Sequence, residues 1–238
     1  MHATSFRRAA GWCFLAGGIL PLLCLPLLAL HFGYPDIIRA EPSVLLPRLH
    51  AQRHLVPYLY YAGVGGMGLS LLFGARFLQE ALETEERSPW TAALGLAGTL
   101  SGVFLFAGIL RYALLFPRLA AWRAGGAWDP GTVDLVFRAF NTYAGETLAE
   151  HIQFLFSTIF LASTGIAGLR TRRLPRSLAW MALGVACVIA VGNLEFFGVP
   201  GTFAWNRLGA KLFGIWEVLA GLCLLGWLPR RGKRSLEA

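Results

Sequence analysis

The stretch NTYAGETLAEHIQFLFSTIFLASTG, residues 141–165, sets two carboxylates four positions apart, then a histidine and a glutamine, and runs on into apolar sequence. Placed about 100° apart on a helix, Tyr143, Glu146, Glu150, Gln153, Ser157 and Thr164 fall within roughly 80° of one another. Acids sharing a face can hold a cation. An acid kept in apolar surroundings can retain its proton and donate or relay it. His151 projects about 100° away from Glu150, so this adjacent acid and histidine do not make one ready site.

Other polar residues interrupt apolar sequence elsewhere. Asn193 and Glu195 close one apolar segment, Glu217 stands near the middle of KLFGIWEVLAGL, and Arg111 ends another. His50, His54, Tyr58 and Tyr61 precede or begin a further one. Tyr58, Tyr61, Arg111, Tyr143, Glu146, Gln153, Asn193 and Glu195 are therefore candidates for lining a ligand site, with Glu150 and Glu217 the candidates for proton chemistry as well. Arg111 reads either as a counter-ion for Glu146 or Glu150 or as a helix-end arginine reaching toward water. Glu217 reads either as a neutral, hydrogen-bonded tie between helices or as a working carboxyl, because an ionised acid near the bilayer centre costs several kcal/mol (order of magnitude) unless paired or hydrated.

No metal site is expected. Carboxylate-bridged centres use Glu-x-x-His, whereas this chain has Glu146, Glu150 and His151, and HExxH, Walker and GxSxG patterns are absent. Cys13, Cys24, Cys187 and Cys223 have no CxxC spacing and lie in apolar sequence, where cysteine acts as a small apolar residue. GVGGMG, residues 63–68, has the glycine content of a phosphate loop but sits in an apolar segment and reads as a packing face. No motif names a cofactor.

The elements that carry these residues follow from composition. The chain is 56% hydrophobic and 14% charged, and a soluble domain is about a quarter charged. Six segments reach the length of about 20 residues that a spanning helix needs: residues 11–31, 55–78, 91–115, 140–169, 174–197 and 208–228. The expected fold is an all-α polytopic membrane bundle forming one domain over residues 1–238, with two longer external loops at about 32–54 and 116–139. Trp122 and Trp128 in the second loop read as interface anchors, or as part of a lid. Arg7 and Arg8 before the first segment imitate a signal peptide, but that segment is long and no small-x-small site closes it, so it reads as retained. Pro21 and Pro26 are expected to kink it.

The formal charge of +8 does not point to nucleic acid, since the basic residues cluster at segment ends, in RTRRLPR and LPRRGKR. Their partner is anionic membrane lipid. With a cytoplasmic N-terminus, 12 of the 21 lysines and arginines lie on the cytoplasmic side, which places both termini there. Gly95, Gly98 and Gly102, and Ala210, Gly214 and Gly221, mark faces where backbones can approach closely.

RRAAGWCFLAGG, LPRSLAWMALGVA and KLFGIWEVLAGLCLLGW together resemble the bacterial domain-of-unknown-function family forty-three eighty-six. That resemblance implies an integral inner-membrane protein of about six helices, with Gly214 and Glu217 matching its closing Gly-x-x-Glu element. It implies no activity, and the acid pair Glu146 and Glu150 is not part of its pattern. From the residues, the leading expectation is an outward-opening, carboxylate-lined cavity that binds or transports a cationic or amphipathic small molecule. The alternatives are a membrane enzyme using a protonated glutamate as general acid on a lipid or isoprenoid, and a structural or assembly subunit.

Overall fold

The computed structural model describes residues 2–84 and 88–228. Arg87 and the tail residues Arg230, Arg231, Lys233 and Arg234, which entered the orientation count, lie outside the described residues. Seven helices are present among them: α1 His2–Phe32, α2 Pro42–Ala51, α3 Val56–Leu82, α4 Pro89–Gly125, α5 Pro130–Thr171, α6 Arg176–Phe197, whose end from Asn193 is a 3-10 turn, and α7 Thr202–Leu225. All except α2 include a segment long and apolar enough to cross a membrane. This is the architecture of a multi-pass membrane protein, and it bears out the expected all-α bundle of six spanning helices.

The six long helices form a closed ring. Each packs on the next in chain order, α1 on α3, α3 on α4, α4 on α5, α5 on α6 and α6 on α7, and α7 returns to pack on α1. Arg7 Nη2 donates to the Cys223 carbonyl at 3.1 Å, and the Trp12 and Trp227 rings meet edge to face at 5.5 Å, so the first and last helices join at one end. We call this the terminal end and the opposite one the loop end. Small residues make the approach possible. A Cβ on Gly102 of α4 would lie 2.5 Å from the Gly68 carbonyl of α3, and one on Gly18 of α1 would lie 2.7 Å from the Gly214 carbonyl of α7. Gly95, Gly98, Gly102 and Gly221 are therefore contact positions, as are the glycines of GVGGMG, whereas a Cβ on Gly214 would meet nothing within 4 Å and Ala210 is exposed.

One expectation changes. The external segments are not loops: α4 continues to Gly125 and α5 begins at Pro130, so residues 116–139 are mostly a helical hairpin, and α2 occupies much of 32–54. The hairpin turns on Gly126 at φ 66°, a conformation only glycine adopts freely, and on Asp129, whose Oδ2 accepts from Thr132 N at 2.9 Å ahead of Pro130 at the first helical position. Trp122 and Trp128 pack on each other near its tip, with ring centroids 6.0 Å apart. Both Pro21 and Pro26 lie inside α1.

The interior divides by height. The terminal half is packed with Phe14, Phe160, Phe213 and Trp216, and the loop half with Phe32, Tyr60, Tyr112, Phe116 and Phe137. Three neighbouring helices carry π-helical stretches: Tyr60–Gly65 in α3, Arg111–Leu115 in α4 and Asn141–Ile152 in α5. Such i→i+5 turns are rare and gather at functional sites.

Candidate functional site

The acids of α5 meet a residue from a distant part of the chain. A 3-10 turn, Asp36–Arg39, between α1 and α2 carries Arg39 over the loop end of the ring. Its guanidinium is shared by three carboxylates, with Nη2 2.6 Å from Glu150 Oε2 and 3.4 Å from Glu195 Oε1, and Nη1 3.2 Å from Glu146 Oε1. Glu195 Oε2 also accepts from Asn206 Nδ2 of α7 at 2.9 Å. Burial works against the charge on Arg39, but Glu150, Glu195 and Glu146 outweigh it and hold its pKa above the ordinary guanidinium value. Phe203 lies between two guanidinium groups, 5.9 Å from that of Arg39 and 5.5 Å from that of Arg207, which itself faces Asp36 at 3.7 Å. Tyr34, just before the turn, is half-buried, and desolvation pushes its phenol up, with Glu150 adding and Arg207 opposing.

Arg39 was not among the residues singled out from sequence, although Glu146, Glu150 and Glu195 were. Beside them opens a cleft of about 150 Å³ lined by Arg39, Glu146, Asn141, Phe137 and the ion pair of Glu41 with Arg138.

The other candidates are distributed as follows. Asn193 is buried, and its Oδ1 lies 3.1 Å from His151 Nδ1, with the imidazole packed against Phe196 and Phe197. His151 thus packs on the turn that carries Glu195, and no hydrogen bond joins it to Glu150 among the described residues. Over Asn141–Ile152 the helix is π-helical, and because its wider turn advances each residue by less than the 100° or so of an α-helix, an error in an ideal wheel grows with distance along it. The same error put Tyr143 on the interior stripe; it is 64% exposed. Tyr58 and Tyr61 are corrected too, being 71% and 48% exposed, with Tyr61 against Phe106 on the outside of the ring. The buried tyrosine of that segment is Tyr60.

Gln153 is buried but separate from the acids. Its Nε2 donates to Ser157 Oγ at 2.7 Å and to Ser101 Oγ at 3.1 Å, tying α5 to α4. Arg111 is neither an ion-pair partner of Glu146 or Glu150 nor a helix-end arginine reaching into water. It is buried, donates from Nη1 to the Gly108 carbonyl at 2.7 Å, and lies 4.9 Å from the centroid of the Tyr112 ring. His50 Nδ1 is buried without a hydrogen-bond partner on α2, and His54 is exposed beyond it.

Glu217 does not join the cluster. It lies 11 positions beyond Asn206 on α7, about 16 Å along the helix axis, in the aromatic-packed terminal half. It is completely buried, and neither carboxyl oxygen has a hydrogen-bond partner. A Cβ on Gly17 of α1 would lie 3.0 Å from its Oε1 and 3.0 Å from Ser70 Cβ of α3. The expected single carboxylate-lined cavity is therefore two places: a charged cluster at the loop end and a lone acid deep in the ring.

No family model matches the chain, and no curated protein or solved structure matches it either. The site stands on its own geometry.

Proposed function

We propose that this is an inner-membrane protein, its terminal end facing the cytoplasm, that binds and transports a cationic small molecule at Glu146, Glu150 and Glu195. The observation that supports it is the sharing of one guanidinium by three carboxylates from two helices. Acids grouped at the end of a membrane bundle mark cation pathways, and this group is already shaped around a planar, hydrogen-bonding cation. Arg39 acts as an internal stand-in. A ligand bearing a guanidinium or ammonium group displaces it, which exchanges one cation for another and frees the turn Asp36–Arg39. Because the exchange swaps like for like, affinity is modest and release is easy.

The orientation is supported by Arg7, Arg8, Arg76, Arg170, Arg172, Arg173 and Arg176 at the terminal end, following the positive-inside rule. At Glu150 the contact favours cation binding over general-acid work, since it accepts a charge-assisted hydrogen bond from Arg39, the arrangement of an ionised carboxylate.

Binding of butylguanidine, followed by calorimetry on protein in nanodiscs, tests the proposal. Removing the competitor in Arg39→Ala should tighten binding by about tenfold, the worth of one charge-assisted hydrogen bond, and Glu150→Gln should weaken it by a similar factor. Equal affinity in wild type and both variants would overturn it.

A further inference from the structure

Inward of the carboxylates lies a polar group of opposite character. Arg111 is 7% exposed and donates to the Gly108 carbonyl, and its Nε is buried without a hydrogen-bond partner among the described residues. Among the described residues no carboxylate lies within ion-pair distance of it. Tyr60 and Tyr112 stack beside it with ring centroids 4.2 Å apart, both buried, and both hydroxyls lack a hydrogen-bond partner. The three side chains come from the π-helical stretches of α3 and α4, and Arg111 lies against α5 beside the acids, where a Cβ on Gly145, next to Glu146, would be 2.5 Å from its Nη2.

A buried guanidinium is compensated by an anion, and a buried phenol O–H by an acceptor. Here donors gather, and the one hydrogen bond they make among the described residues is to a neutral carbonyl. The group that completes such an array carries negative charge on two oxygens, as a carboxylate does. We infer that Arg111, Tyr60 and Tyr112 form an oxyanion subsite, and that the ligand of the carboxylate cluster is a zwitterion whose anionic end they receive. This rests on the cation-binding reading of Glu146, Glu150 and Glu195. It adds what that reading lacks, a reason for the protein to prefer a ligand with an acid at its far end. Without the subsite, three carboxylates facing one guanidinium would repel a ligand carboxylate, and the preference would run the other way.

The test compares guanidinobutyrate with butylguanidine, which share the cation and differ by the carboxylate, using calorimetry on the full chain in nanodiscs. Wild type should bind guanidinobutyrate about tenfold more tightly, the worth of a charge-assisted hydrogen bond. The Tyr60→Phe/Tyr112→Phe double variant keeps both rings and their stacking, and should lose most of that preference while binding butylguanidine as wild type does. Arg111→Gln should reverse the preference; if that variant fails to fold, the double variant decides alone. Equal binding of the two probes by wild type, or a preference that survives in the double variant, would overturn the subsite and leave cation binding standing. Binding of neither probe would remove both.

Discussion

Two glutamate environments in this molecule differ in almost every respect. At the loop end, Glu146, Glu150 and Glu195 are partly exposed and gathered by one arginine from a distant turn. In the terminal half, Glu217 is completely buried among aromatic rings against a glycine, with no partner for either oxygen. The first arrangement depends on charge: remove the cation and three acids repel one another. The second depends on shape, because an acid without a counter-ion in such a place has to be carried neutral. The same residue type therefore supports stability in one region and costs stability in the other.

Charge reversal at the shared cation should show the largest effect. Arg39→Glu puts a fourth acid at the centre of three, and thermal unfolding in detergent at neutral pH should show a loss of about 2 kcal/mol, more than an exposed pair is worth and less than a buried one. Arg39→Ala leaves only the mutual repulsion, and should cost about 1 kcal/mol since the cluster is partly screened by solvent. This deficit should shrink as the ionic strength is raised toward about 1 M, where screening is short-ranged; a deficit independent of salt would mean that packing, not charge, holds the cluster.

The buried acid should respond with the opposite sign. Glu217→Met, of similar volume and without polar atoms, should stabilise the protein by about 1 kcal/mol, since it removes an uncompensated polar group. Destabilisation would show that Glu217 has a partner in the membrane.

Tyr34→Phe sharpens the loop-end half of the contrast. The Tyr34 phenol is raised by burial, so its contribution is complete below the unfolded value of about 10 and is lost as pH rises through the higher folded value. Melting curves of wild type should fall more steeply than those of the Phe variant above about pH 10. The smallest change is expected for Tyr143→Phe, within about 0.5 kcal/mol in the same assay, as for an exposed surface position.

The spans and the glycine faces were legible because hydropathy and close backbone approach depend on local sequence. Glu146 and Glu150 were legible as a pair for the same reason. Tyr143 was misplaced because the wheel assumes a regular α-helical turn, and residues 141–152 are π-helical. Arg39 left no local signal, since the partners that give it meaning stand 111 and 156 positions away. Glu217 could be read as an intramembrane acid, but its separation from the others depends on helix depth and ring order, which no single segment encodes.

The closed ring has a consequence for assembly. Among the six long helices, each finds its neighbour already made, until α7 must dock on α1, five helices earlier in the chain. Glu217 rides on α7 and faces Gly17 of α1. The pocket for this acid is completed only when that seam closes, so the cost of burying its carboxyl falls on the docking of these two helices.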